Sequence, residues 1–361
     1  MTDSLLKQAK DFRETVLLAE LGAWLHDLGK LSRQFVESKT DPAYVTADAG
    51  QETEPATKEW PHGAVLTQDR EKIPQQLWDF LYQSHLTALD AYTLSGLISD
   101  HHLSKPGHIL ALLKQADRND SGEDEYNAAG LPQSRPVQRA TVFGQEDDLD
   151  LVPLDGLRRS LYAPLEALAT ASPYDRDQVW QLLCEALNAG LGKTQRAAND
   201  IRLDQHVWGV ASRFKAFVMR DLLDPPAKGE IRNTFRLLTV QWNSWEAITP
   251  FAKLSDVAGR TVMIASVREA LRQAIETEYA IGNRIYEDDD GIHFLVADVE
   301  WGAELETRVR DIVNAQSGGE LLPVVKLSDP TECVTLLAQQ MAEARERLPI
   351  VGAPAWLAAW Q

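Results

Sequence analysis

Apolar residues recur at helical spacing from Ser4 to about Phe35, with Leu17, Leu21, Trp24, Leu25, Leu28 and Leu31 on one stripe. The spacing predicts helix across "LGAWLHDLGKLSRQF", residues 21–35. A polar run rich in turn residues follows, "VESKTDPAYVTADAGQETEPATKEWPHG", and reads as a loop. Helical periodicity returns over 71–103 and over 108–118, the second after "SKPG". The acidic, Pro/Gly-punctuated stretch at about 121–173 reads as an excursion, and 174–223 reads as helix again. That helix runs into "LLDPPAKGE", whose two prolines and glycine mark a domain boundary.

Beyond the boundary the period changes. "TFRLLTVQW" (234–242) reads as a strand and "GRTVMIASVREALRQAIETEYAIG" as a helix. "NRIYEDDDGIHFLVAD" places two apolar runs about an Asp-Gly turn, a hairpin signal. A helix ("ELETRVRDIVNAQSGG"), a strand ("LLPVVKLS") and a closing helix ("TECVTLLAQQMAEARERL") complete the chain. The order βαββαβ is the ferredoxin-like arrangement. The expected class is therefore α+β: a mainly helical domain over 1–225, then a ferredoxin-like domain over 226–361.

Composition narrows the function classes. The chain has 361 residues, room for two domains, with 44% hydrophobic and 25% charged residues. A formal charge of −18 argues against wrapping nucleic acid over the whole surface, so any phosphate-binding face must be local or supplied by a metal or partner. Cys184 and Cys333 show no ligand spacing, and no apolar run approaches a membrane span. A reducing, cytoplasmic compartment is expected.

The chemistry concentrates in the histidines. Six of eight lie in the first 108 residues. His26 and Asp27 are adjacent inside an apolar pattern, His101 and His102 are adjacent in "SDHHLSKPG", and Asp117 follows on the next helix. A buried charge there needs a partner or a metal. Mixed imidazole and carboxylate donors without thiolates suit a divalent transition metal, Mn, Ni or Co ahead of Mg. Taken one at a time, each residue has an ordinary account: a hydrogen-bonded core pair, a loop feature, a cap. Their co-occurrence in one order, with helices between, favours the metal.

"LGAWLHDLGKLSRQF", "DHHLSKPG" and "ADRNDSGED" together resemble the HD domain of the large subunit of type III CRISPR–Cas effector complexes. "NDIRLDQHVWGVASRFKAF" is similar to the Asp-His helix those proteins carry before their first palm domain. No histidine precedes His26, and the resemblance implies a circularly permuted HD domain in which His206 supplies the missing ligand. An equal alternative keeps His206 as one histidine beside the apolar stripe Val207, Val210, Phe214 and Phe217. The resemblance places His62 at a further ligand position, with His85 as an alternative, and gives Lys30 a contact to the scissile phosphate. A surface lysine at a helix end is the plainer account of Lys30.

The βαββαβ segment resembles the first palm domain. Its hairpin reads Glu287, Asp288, Asp289, Asp290, Gly291 where a cyclase-competent palm has Gly-Gly-Asp-Asp, and Asn243 stands near the place of an aspartate on the first strand. Turn chemistry explains the acidic tip better than a metal site does, and the palm is expected to be non-catalytic. Members of the family usually carry a second palm, so cyclic oligoadenylate synthesis is not expected from this chain alone. The resemblance implies a metal-dependent HD phosphodiesterase cleaving single-stranded DNA in antiviral defence, partnered by other effector subunits and guide RNA. The alternatives are a non-catalytic scaffold subunit and a free-standing HD nucleotide phosphohydrolase.

Overall fold

The structure is a computed structural model, and it describes residues 4–39, 62–86, 88–125, 138–140, 146–171, 175–192, 201–249 and 253–348. Most of the polar run after Phe35, the middle of the acidic stretch and the segment "IVGAPAWLAAWQ" lie outside the described residues. The chain divides into two compact units. One comprises Thr15–Phe214 with Ala227–Ile231, and the other Met1–Glu14, Lys215–Pro226 and Arg232–Gln361.

Helices build the first unit. They are α1 (Leu5–Leu25), α2 (Arg33–Lys39), α3 (Val65–Gln68), α4 (Gln75–Gln83), α5 (Leu94–Asp100), α6 (His108–Glu125), α7 (Leu154–Ser160), α8 (Tyr162–Ala169), α9 (Arg176–Leu187) and α10 (Leu203–Leu223). A short antiparallel pair, β1 (Gln138–Ala140) and β2 (Glu146–Asp148), lies between α6 and α7. The first residues of α1 and the last of α10 belong to the other unit.

The apolar stripe through residue 35 is not one helix. α1 stops at Leu25, a 3-10 turn covers Leu28–Lys30, and α2 restarts at Arg33. Leu28, Leu31 and Phe35 are all buried, so the core accepts the stripe across a break in the backbone. Periodicity reports which side chains are buried and is blind to a turn that keeps them so. The expected helix over 71–103 is likewise two, α4 and α5, and that over 174–223 is α9 and α10.

Tryptophans organise the core of this unit. Trp24 and Trp180 have ring centroids 5.1 Å apart, and Trp180 and Trp208 4.7 Å. Among them Arg176 donates to both oxygens of Glu20, at 2.7 and 2.8 Å, with both side chains buried. A second buried network joins segments far apart in sequence. Asp69 accepts from Arg158 Nε and from the Tyr162 hydroxyl, each at 2.7 Å, while Arg158 also donates to the Leu31 carbonyl at 2.6 Å. Leu154, Arg158, Leu161, Tyr162 and Leu165 are all buried. The stretch expected as an excursion therefore contributes α7 and α8 to the packed interior.

The second unit is built on a four-stranded antiparallel sheet of β3 (Phe235–Gln241), β4 (Gly282–Asp288), β5 (Gly291–Ala297) and β6 (Val324–Leu327), in spatial order β4-β5-β3-β6. α11 (Ser244–Ile248) and α12 (Leu254–Arg272), extended by a π-helical turn over Gln273–Glu278, link β3 to β4. α13 (Gly302–Ser317) links β5 to β6, and α14 (Leu336–Glu346) follows β6. β3 and β5 form the buried centre; all seven residues of β5 are buried, as a strand covered on both faces requires. Among the described residues, no helix is long and apolar enough to cross a membrane.

Candidate metal centre

His26 and Asp27 follow directly on the end of α1. The His26 ring turns back so that Nδ1 lies 2.6 Å from the Ala23 carbonyl. A carbonyl only accepts, so Nδ1 donates, and Nε2 is the ring nitrogen left to face a ligand. The bond also satisfies one of the carbonyls left open at a helix C-terminus. His101 repeats the device at the end of α5, its Nδ1 donating to the Ile98 carbonyl at 2.9 Å. Both rings thus turn Nε2 toward the same region.

The Nε2 atoms meet at Asp27, which is buried. Its Oδ1 lies 3.2 Å from His62 Nε2 and 3.6 Å from His101 Nε2. Its Oδ2 lies 3.2 Å from His26 Nε2 and 3.1 Å from His206 Nε2. His102 Nε2 is 2.8 Å from His62 Nε2, which is 3.1 Å from His101 Nε2. Two donor groups result, Asp27 with His62, His101 and His102, and Asp27 with His26 and His206. Asp117 joins the second group's edge, its Oδ1 3.3 Å from His206 Nε2.

Local sequence makes this convergence possible. Gly29 is in the 3-10 turn beside Asp27, and a Cβ there would overlap the His62 carbonyl. On α10, a Cβ at Gly209 would overlap the Asp120 carboxylate. That space lets Asp120 reach His206, whose Nδ1 donates to Asp120 Oδ2 at 2.8 Å. Arg213 donates to the other Asp120 oxygen at 2.6 Å. Carboxylate behind imidazole is the arrangement that fixes a metal-binding histidine's tautomer and raises its basicity.

Sequence reasoning missed Asp120, Gly209 and Arg213. Asp120 stands three residues after Asp117 on α6, so both carboxylates share a face, and that spacing was the available signal. His85, the alternative to His62, is not in either donor group; it is exposed and bridges Thr93 through the backbone. Lys30 turns inward, its Nζ 2.6 Å from Asp27 Oδ2.

The electrostatics follow from burial and partners. Burial opposes the charge of Asp27, but His26 and Lys30, with His101 and His206 close by, outweigh it and hold the carboxyl well below the usual range. Burial also opposes the Lys30 charge, and Asp27 with Asp117 overcomes it, raising the pKa. Burial, with His101 and His62 adding, pushes His102 down to about 3, so it stays neutral and able to donate a lone pair.

These residues fit a metal ion. His26 Nε2, His206 Nε2 and Asp27 Oδ1 are buried without a hydrogen bond of normal geometry, a costly state unless something else takes the lone pairs. Ligands each about 2.1 Å from a shared ion lie about 3 Å from one another, the spacing seen around Asp27. Imidazole and carboxylate without thiolate is the donor chemistry of Mn, Co, Ni and Fe.

The acidic hairpin of the other unit contrasts with this. Asp288 accepts from the Asp290 amide at 2.9 Å, Asp290 Oδ1 accepts from the Ser244 amide at 3.1 Å, and Asp289 is fully exposed. Asn243 caps α11, its Oδ1 accepting from the Glu246 amide at 3.0 Å.

No protein-family model matches the sequence, and no curated protein matches it. Solved structures do. The chain is similar to the crystal structure of Csm1 in T. onnurineus, with TM-score 0.56 and 12% identity over 92% of this chain and 49% of that one. It is similar to Csm1 in the Csm1–Csm4 subcomplex of the type III-A CRISPR-Csm interference complex, with TM-score 0.58 and 14% identity over 92% and 47%. A Csm1–Csm4 cassette in complex with cA3 matches with TM-score 0.58 and 13% identity over 92% and 48%. At these identities the likeness is one of fold, an α+β fold resembling that of the type III CRISPR large subunit. The chain spans about half the length of the Csm1 chains it matches.

Proposed function

We propose that this chain is a type III CRISPR effector large-subunit-like protein whose helical unit is a permuted HD domain, a metal-dependent phosphodiesterase that cleaves single-stranded DNA. The unit around the β4-β5-β3-β6 sheet is then a ferredoxin-like palm with a scaffolding role. One observation carries the reading: each oxygen of buried Asp27 faces its own set of imidazole Nε2 atoms.

His62, His101 and His102 with Asp27 would hold one ion; His26, His206 and Asp27, with Asp117 beside them, would hold a second. Asp27 belongs to both donor groups. Such ions supply Lewis-acid polarisation of a phosphodiester and a lowered pKa for bound water. The chain's own part is to hold the donors. Ala23, Ile98 and Asp120 fix the ring tautomers, and Arg213 keeps Asp120 in place. Lys30, mostly buried at the cluster's edge, offers a point charge where a phosphate oxygen of an incoming strand meets the site. The similarity of fold to Csm1 supports the substrate and the setting, with other effector subunits and guide RNA as partners. Cyclic oligoadenylate synthesis by this chain alone is not proposed: Asp288 accepts from the Asp290 amide and Asp290 from the Ser244 amide at the start of α11.

The test is incubation of the purified protein with labelled single-stranded DNA and Mn²⁺, beside a His26→Ala/Asp27→Ala version. Cutting by the wild type alone is expected. No cutting by the wild type, or phosphate release from nucleotides in its place, overturns the nuclease reading.

A further inference from the structure

α4 buries Leu77 and Leu81. One position further round the helix, Trp78 and Tyr82 form a second row, i and i+4, which the core does not take. Their rings stack with centroids 4.1 Å apart and planes 23° from parallel. The Arg70 guanidinium lies 4.2 Å from the centre of the Trp78 ring. Arg70 and Tyr82 thus both pack against the Trp78 ring. Arg70 is itself held by a 2.6 Å bond to Gln75, which donates to Asp79 at 2.8 Å. The result is a braced aromatic cluster in which Tyr82 is 38% exposed.

α4 packs against α5, and α5 ends at Asp100 beside the metal centre's histidines. Asp100 immediately precedes His101 and His102, and its carboxylate binds the Tyr92 hydroxyl and Lys105, each at 2.8 Å. The Lys105 side chain is more than half exposed, and His102 is exposed. A chain of net charge −18 gains little from general attraction to phosphate, so strand binding must draw on stacking.

We propose that the Arg70–Trp78–Tyr82 stack is a platform for an unpaired nucleobase, seating a single strand whose backbone passes Lys105 to reach the His62–His102 rim. This rests on the reading of the Asp27 cluster as a centre acting on single strands. Only a base with a free face can stack on Tyr82, and bases inside a duplex have both faces taken. The platform distinguishes strand state, not sequence.

The test is binding of labelled oligo-dT, oligo-U and a matched duplex to the full chain in chelator, where nothing is cut, with wild type, Tyr82→Phe and Tyr82→Ala. Tyr82→Ala is expected to weaken single-strand binding about five- to hundredfold, the worth of one base stack, and Tyr82→Phe to leave it near wild type. The strand that shows the loss, DNA or RNA, identifies the source of the base. Photocrosslinking of a bromodeoxyuridine strand to wild type is expected to label the peptide carrying Tyr82, which guards against a Tyr82→Ala chain that merely misfolds. Equal single-strand affinity for Tyr82→Ala and wild type, tighter binding of the duplex, or no strand binding by the wild type overturns the platform. Strand binding through Tyr82 without cutting in Mn²⁺ sinks the nuclease reading alone; cutting with Tyr82-independent binding sinks the platform alone.

Discussion

Each unit carries a group of acidic residues, and the two groups behave in opposite ways. Around Asp27 the carboxylate is buried, and the atoms facing it are imidazole nitrogens whose opposite ring nitrogens are already bonded elsewhere. At the β4–β5 turn the carboxylates accept from the Asp290 and Ser244 amides or pair with arginines at the surface. Density of negative charge does not separate the two, since the hairpin has four acidic residues in a row. Burial with lone pairs left over does. A desolvated acceptor must find a partner, whereas an exposed one has water.

The largest effect that would sharpen this contrast is at Asp27. Asp27→Ala removes an oxygen from both donor groups, and Mn²⁺ affinity is expected to fall by more than about 100-fold, beyond the loss typical of outer partners. Isothermal titration calorimetry checks it.

Next comes Asp69, buried among Arg158, Arg159 and Tyr162 and away from both acidic groups. Asp69→Asn leaves Arg158 buried beside a neutral partner and is expected to cost about 3–5 kcal/mol of stability, read from denaturant unfolding. Burial alone would raise the Asp69 pKa, but the bonds from Arg158 and Tyr162 outweigh it and lower it. The folded value lies below the unfolded value of about 3.9, so this contribution is full above that pH and is lost as pH falls through the folded value. The wild-type melting temperature should therefore drop more steeply below about pH 4 than that of Asp69→Asn.

Asp120→Asn keeps the shape behind His206 and removes the charge. Metal affinity is expected to fall about 10–100-fold while the fold, followed by circular dichroism, is retained. The smallest effect belongs to the hairpin: Asp289→Asn should leave metal affinity and strand cutting within about twofold, and a larger loss would break the contrast between the two units.

Much of this was legible in the chain. His26, Asp27, His101, His102 and Asp117 stand out because polar residues interrupt an apolar helical period, and the structure brings them together with His62 and His206. The two apolar runs about the Asp-Gly turn made the hairpin legible, since apolar runs joined by so tight a turn have few other solutions. The end of α1 at Leu25 was hidden, because Leu28 and Leu31 stay on the buried stripe after the backbone turns. Asp120 was hidden in a charged run, and only the closeness of α10, allowed by Gly209, distinguishes it from its neighbours. Lys30 was read toward phosphate. What the sequence did not show is that its Nζ also pairs with Asp27, at 2.6 Å.

The central claim is that the donors about Asp27 form a metal centre, and direct metal uptake tests it without reference to any substrate. Protein stripped with chelator would be dialysed to equilibrium against Mn²⁺ and its bound metal measured, beside the His26→Ala/Asp27→Ala version. Saturable uptake by the wild type and none by the variant is the predicted result. Equal uptake by both, or no uptake by a folded wild type, would contradict the account.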